Sequence, residues 1–520
     1  MIRLDSKTVI ERGNALFDKR QQLLSLWQEI AENFYVERAN FTYTRNVGDE
    51  FSDHLMSSYP IMVRRDLGNS FSSMLRQDEW FSIALSREEL ESHQALKWLE
   101  YASGVMRRAM YDRKARFVRT TKEADHDFAT FGQCVITVEL NKNRDGLLYR
   151  NWHLKDCAWS EGYDGFVNEM HRKWEPTVKE LCDTFGDKVH AKVKDKIHKH
   201  PHETVKCRHV VLPEENDFQS LYIDEVNEHT MEDVNLKTFP YVVPRWQTVS
   251  GSQYAYSPAT VAALPDARLL QSMTEVLLTA GEKYVDPPML AVQEAIRSDL
   301  DIRARGITWV DAEYDTRLQE VLRPLNQDKS SFPVGFSMEE SLRADLAEAF
   351  YLSKLTLPIM AGDMTATEVS QRVEEYIRQS LPLFEPMEDE YNGLVCENTF
   401  DLLVANGAFG ATMPEELSEA EVEFRFVSPL RSAMERKDVN RFRESLDLAA
   451  MGAQIDPAIP SNLNIHEAFR DALKGAGASE EWLQDDEVVQ REIEKQKAVQ
   501  DAALMSQQLD NQLTQAEMNG

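Results

Sequence analysis

His198, His200, His202, Cys207 and His209 lie close together in the sequence, and their side chains are of types that bind zinc or other transition metals. The spacing matches no known finger. Lys192, Lys194, Lys196, Lys199 and Lys206 run among them, and ammonium groups near a divalent ion would oppose its binding. The expected reading is a solvated loop between a helix and a strand. The acidic run at residues 385–390 offers carboxylate oxygens, which hard cations prefer, but lacks the alternation and the glycine of a calcium loop. A solvated helix start near Pro386, with carboxylates favoured by the helix dipole, explains it better. Trp152, Trp159 and Trp174 could stack on bases, yet in a strand-rich stretch they are expected as core or interface aromatics.

Other chemistry is missing. The sequence contains no G-x-x-x-x-G-K-[ST] phosphate loop, no G-x-G-x-x-G, no H-E-x-x-H and no G-x-S-x-G, which argues against a nucleotide-driven motor in this chain. No catalytic residue, cofactor or metal is expected. A carboxylate pair assembled from distant positions would escape such a search. The formal charge of −30 is the wrong sign for a protein that grips nucleic acid through its phosphates. Five scattered cysteines without a C-x-x-C pair suggest neither a disulfide framework nor a metal knuckle, and fit a reducing compartment. The start lacks the apolar core of a signal peptide and no stretch approaches the ~18 apolar residues of a bilayer span, so a soluble, unexported protein is expected.

The elements that would position these residues form an α+β, mainly helical chain, and its 520 residues allow about three or four modules. Apolar residues recur at helical spacing over residues 8–34, predicting one long amphipathic helix. Ser86 and Glu89 form a capping box before a second. Residues 134–140 and 147–152 read as strands joined by a turn. Thr177 and Glu180 cap a short helix that Gly186 ends, and further strands are expected over 205–212, 218–227 and 241–249. Residues 266–285 read as a helix of about 30 Å, stopped by Pro287 and Pro288. A mixed insert follows, in which residues 307–310 read as a strand. A capping box at Ser337 and Glu340 then starts a helix that ends before Pro358. Thr365 and Glu368 cap another long helix, broken near Pro382 and Pro386, and the chain after it is helical with a sparse, Gln-rich tail.

This order of elements resembles the head-to-tail connector, or portal, proteins of podoviruses over nearly the whole chain. The most specific stretch is residues 364–369, Met-Thr-Ala-Thr-Glu-Val, with Arg372; within it Thr365, Thr367, Glu368 and Arg372 look like the family signature at the start of its long wing helix. Support comes from Ala-Leu-Pro-Asp at 263–266 with Pro287-Pro288, from the run 131–186, and from Phe-Val-Ser-Pro-Leu at 426–430. The resemblance implies the portal fold of wing, stem, clip and crown, forming a dodecameric ring around a DNA channel. The wing would be residues 1–265, the stem helices 266–285 and 337–356, the clip 286–336 and the tunnel loop 357–364. The returning wing helix would be 365–430 and the crown 431–520. The tunnel loop would present Thr356, Pro358, Ile359, Met360, Gly362, Asp363 and Met364, with Lys354 as the candidate facing the channel. Arg303, Arg305 and Arg323 would be clip residues that contact partners. Implied partners are further copies of the chain, the terminase large subunit, tail adaptor and tail tube proteins, scaffolding and major capsid proteins, and double-stranded DNA passing without sequence specificity; no membrane is involved. The implied location is one vertex of the virion, with assembly in the host cytoplasm. An internal core protein of the virion and a metal-dependent nucleic-acid-processing enzyme are the alternatives.

Overall fold

The computed structural model describes residues 5–46, 48–49, 52–76, 79–85, 93–215, 217–285, 289–291, 322–324, 332–352, 386–410, 417, 422–426, 429–454, 464–475, 491 and 495. In chain order the elements are α1 (Ser6–Lys19), α2 (Gln21–Phe34), α3 (Tyr59–Leu75), β1 (Phe81–Leu85), α4 (His93–Met110), α5 (Phe117–Phe131), β2 (Val135–Leu140), β3 (Leu147–Trp152), β4 (Cys157–Glu161), β5 (Val167–Trp174), α6 (Val178–Phe185) and α7 (Ala191–Lys194). They continue with β6 (Cys207–Pro213), β7 (Phe218–Asp224), β8 (His229–Leu236), β9 (Tyr241–Val242), α8 (Pro258–Val285), β10 (Met289–Ala291), β11 (Leu322–Pro324), α9 (Phe332–Ala349), α10 (Leu394–Ala405), β12 (Val422–Phe426), α11 (Pro429–Ala453) and α12 (Ile465–Gly475). Two compact units emerge: Met1–Ser72 with Arg119–Thr137 and Arg150–Leu357, and Ser73–Val118 with Val138–Tyr149 and Pro358–Gly520.

The first unit is built on a five-stranded antiparallel meander, β4-β5-β6-β7-β8. Strand side chains alternate between faces, so β6 sends Val210 and Leu212 one way and Cys207 and His209 the other. Val9 of α1 covers Val210, Leu212, Leu221 and Ile223 on one face. Val178, Leu181 and Phe185 of α6, with Val193 of α7, cover Cys207 and Met231 on the other. Thr177 caps α6 reciprocally with Glu180 as the sequence predicts, and Gly186 ends it at φ +53. Gly132, at φ +74, closes α5 where a Cβ would strike the backbone of Tyr256 and Ser257, so only glycine suits it.

The single helix expected over 8–34 is two helices. The chain bends at Arg20, which is 2% exposed and donates to the carbonyls of Leu154 and Lys155 at 2.8 and 2.5 Å. That tie fixes the bend and lets Trp27, Ile30 and Phe34 enter the core. Strand character expected over 241–249 is confined to Tyr241 and Val242, while β8, too polar in sequence to announce itself, pairs along β7. Trp159 is fully buried against Tyr254, and Trp152 carries the Arg172 guanidinium 3.8 Å above its ring, so these tryptophans serve the interior as expected.

The second unit centres on the β1–β12 ladder, Phe81↔Phe426 to Leu85↔Val422. Trp80 is 1% exposed, stacked on Phe117 and Phe426. Ser103 of α4 receives the Ile83 N–H at 2.9 Å and donates to the Leu99 carbonyl at 2.7 Å. The acidic run starts at a helical Pro386 as expected, but it is not wholly solvated: Met387–Gly393 forms a π-helical turn in which Met387 and Glu388 are buried and Tyr391 lies 4.5 Å under Arg76.

His126 and His153 are among the histidines of the first unit held neutral by burial. His126 is pushed down to about 4 by burial and by the Arg64 guanidinium, 3.1 Å from its Nδ1. His153 is pushed down to about 2 by burial and by Arg38. Between about pH 4 and the ordinary value of ~6.5 the unfolded chain binds more protons than the folded one, so stability rises with pH in that window and is lost as pH falls through it. The urea midpoint should therefore drop between about pH 7 and about pH 5, and a His126→Asn/His153→Asn double variant should show a flatter profile.

Candidate functional site

Helix α8 begins in the core and leaves it. Ser257 donates to the Ala129 carbonyl and Thr260 to the Thr130 carbonyl, both at 2.7 Å, seating the first turn on the end of α5. Ala259, Ala263 and Ala267 allow close approach, and Leu264 and Leu270 fill what they leave. The helix starts eight residues earlier than the sequence pattern suggested and continues through Pro265, which is exposed, so the carbonyl that loses its partner there can meet water. At Gln271 the side chain receives the N–H groups of Met56 and Ser57 at 2.7 and 2.8 Å and donates to the Ser57 carbonyl. Beyond it no residue of α8 is fully buried.

Helix α9 returns along it. Thr274 donates to Glu339, and Gly335 faces Leu277 so closely that a Cβ would sit 2.7 Å from Leu277 Cδ2, so the helices run antiparallel. Between them in sequence, β10 pairs antiparallel with β11, Met289↔Pro324 to Ala291↔Leu322, and continues that pairing past the helix ends. Ser337 is not a cap: α9 starts at Phe332, and the would-be capping segment lies within the helix, where Glu339 instead accepts from Arg343 at 2.7 Å. Glu339, Leu342, Leu346 and Phe350 make the buried face, with the Phe350 ring tilted against that of Phe34 at 5.4 Å between centroids. Tyr351, at φ +58, then turns the chain.

Several apolar side chains of this pair are exposed. On α8, Val276 is 65% exposed and Leu278 54%, and on α9 Phe336 is 54% and Met338 49%. The helical spacing located Val276 but gave no sign that its side chain is exposed. Over α8 from Asp266 and α9 together, Asp266, Glu275, Glu282, Glu339, Glu340, Asp345 and Glu348 outnumber Arg268, Lys283 and Arg343, a formal −4.

Of the residues named from sequence, Arg323 lies in β11 opposite Leu290. Arg303, Arg305, Lys354, Thr356, Pro358, Ile359, Met360, Gly362, Asp363, Met364, Thr365, Thr367, Glu368 and Arg372 lie outside the described residues. The five candidate metal ligands are not brought together. His198, His200 and His202 are exposed in a turn, whereas Cys207 and His209 are buried in β6. Both His209 nitrogens are occupied, by the Tyr241 hydroxyl at 2.5 Å and Ser220 Oγ at 2.9 Å, and burial pushes the ring far below the ordinary histidine value. Among the described residues no helix is long and apolar enough to cross a membrane.

Because Phe350 is fully buried at the base of α9, Phe350→Ala should cost about 3–5 kcal/mol, read as a lowered urea midpoint with an unchanged slope.

Residues 6–483 match the profile of a family described as bacteriophage head to tail connecting proteins. The chain is 24% identical to the probable portal protein of Bordetella phage BPP-1, over 97% of this chain and 94% of that one. It is 19% identical to the portal protein of Salmonella phage epsilon15, over 94% and 91%. A chain in the neck of an empty GTA particle is a distant structural neighbour, at TM-score 0.33 and 9% identity, over 80% of this chain and 95% of that one. The profile match spans almost the whole length, and the chain belongs to the bacteriophage head to tail connecting proteins.

Proposed function

We propose that this portal protein assembles as a dodecameric ring at one capsid vertex, with α8 and α9 as the stem, and that double-stranded DNA is packaged and ejected through the axis. The supporting observation is the exposure of Val276 and Leu278 on α8 and of Met338 on α9. Each aliphatic side chain left in water forgoes ~1.5–3 kcal/mol of burial, and Val276, Leu278 and Met338 would recover it against a neighbouring surface. Identical neighbours supply one, repeated around a closed ring. The acidic bias of the helices suits a passage, because carboxylates repel phosphates and let a polyanion slide.

In this reading the segment between α8 and α9 forms the clip, which meets the terminase large subunit during packaging and the tail adaptor and tail tube proteins afterwards. The loop containing Ile359, Met360 and Met364 forms an apolar collar around the DNA, with Gly362 giving it freedom and Lys354 facing the channel. Scaffolding and major capsid proteins surround the ring in the head.

Negative-stain electron microscopy and light scattering of the purified chain should show rings with a central hole. Val276→Glu/Leu278→Glu should shift the protein toward monomers while its thermal midpoint stays within a few degrees, since neither side chain is buried in the single chain. A parent protein that stays monomeric at micromolar concentration would refute the ring, and an internal core protein would give no hole. Charge reversal at Arg303, Arg305 or Arg323 should weaken capture of terminase or adaptor on immobilised rings without changing ring size. Unchanged capture of both partners would refute the clip.

A further inference from the structure

We propose that the lysine- and histidine-bearing turn between α7 and β6, with the first turn of α6, is a docking surface for the phosphate backbone of double-stranded DNA. The inference is independent of the ring and of any axial passage. The whole chain carries −30, yet residues 188–206 hold six lysines against Asp195 and Glu203, a formal +4 before their four histidines are counted. Three of the lysines are engaged: Lys188 with Glu232 at 2.9 Å, Lys194 with Asp187 at 3.1 Å and Lys196 with Glu203 at 2.6 Å. Lys206 alternates with Val205 and Cys207, which enter the core under α6, and so belongs to the other face.

Lys192 and Lys199 remain, and Lys179 joins them because its backbone N–H donates to the Pro201 carbonyl at 3.1 Å. All three ammonium groups are exposed and have no ion-pair partner among the described residues, and His198, His200 and His202 are exposed beside them. The surface is preorganised. His200 N–H donates to Lys196 O at 2.7 Å, Val178 N–H to Glu203 O at 2.9 Å and Glu203 N–H to His200 O at 3.2 Å, while Val193, Val205 and Ile197 root the turn in the core below. The nearby carboxylates of Glu180 and Glu203 are held by Thr177 and Lys196, which leaves Asp195 as the turn's uncompensated acid.

The chemistry of the surface selects the partner. It carries no arginine and no exposed large apolar or aromatic side chain, the anchors on which protein interfaces and single-stranded nucleic acids depend. Point charges and N–H donors spread over a rigid, polar surface suit the phosphates of a duplex. The net negative charge does not forbid this, because at physiological ionic strength charges beyond ~8 Å are largely screened and the local sign decides.

The test uses the full-length protein and a fluorescein-labelled duplex of mixed sequence, with anisotropy followed over a range of salt. The parent should bind at low salt. Lys179→Gln/Lys192→Gln/Lys199→Gln should bind at least about tenfold more weakly, with a log–log salt slope shallower by about 2.7, at ~0.9 for each lost phosphate contact. A triple glutamine variant at Lys7, Lys142 and Lys237, exposed elsewhere, changes the net charge equally and should bind like the parent. Matching thermal midpoints establish that both variants are folded. No binding by the parent, unchanged affinity and slope in the first variant, or equal losses in the two variants would overturn the proposal. Polyglutamate binding as tightly as the duplex would also overturn it, in favour of an acidic polypeptide partner.

Discussion

A helix can be buried only as far as the core beside it extends, and α8, with 28 residues and therefore about 42 Å of length, outruns its core. The rest of this region follows from that. The inner half must be sealed firmly enough to hold a projecting lever, and small residues, two hydroxyl-to-carbonyl bonds and Leu270 seal it. The outer half needs a companion, which α9 supplies, and Gly335 lets the companion come close. Even so, Val276, Leu278 and Met338 stay exposed. The amide of Gln271 marks the boundary between the regimes, tying the 52–58 loop to the helix where burial ends.

The interior that anchors this lever is unusually rich in arginine. Arg20, Arg64, Arg172 and Arg208 are each at most 3% exposed. Burying a charge costs several kcal/mol unless its donors are met, so each guanidinium has to find oxygen or an aromatic face. Arg64 donates to the Phe34 carbonyl and lies over Tyr35; Arg172 meets the Tyr241 hydroxyl and Trp152. Arg208 spans from Glu225 to Asn14 and the Ile10 carbonyl, beneath a glycine, Gly13, where a Cβ would collide with it. These side chains act as cross-ties between helix ends and the sheet. They specify one arrangement more than they add stability, since a well-packed apolar substitute would serve stability alone.

How much of this was legible in the sequence depended on whether the signal was local. Thr177 and Glu180 cap a helix through bonds within four residues, and Gly186 ends it through its own backbone freedom, so that helix could be read directly. The bend at Arg20 could not, because it is set by carbonyls more than a hundred residues away. Ser337 and Glu340 form a pattern identical to a true cap, yet pairing with α8 extends α9 past it and the pattern becomes ordinary helix. Strand β8 alternates polar with polar, so burial of Met231 alone gave too little contrast. In the helix pair, apolar spacing disclosed that helices exist but not which of their apolar side chains stay exposed, since a buried stripe and an exposed one read alike. The family likeness supplied the order of segments that spacing alone could not.

The short ladder between β10 and β11 has an evolutionary consequence. Because Ala291 sits directly across from Leu322, the chain enters and leaves the intervening thirty residues at neighbouring points. A segment whose two ends already lie side by side can be lengthened, shortened or exchanged without moving what it hangs from. The helices and the core beneath them can then stay under selection for packing while the inserted piece diverges with whatever it meets. Related chains should accordingly vary most in length between the two strands of the ladder, and natural hybrids should carry their crossover points there.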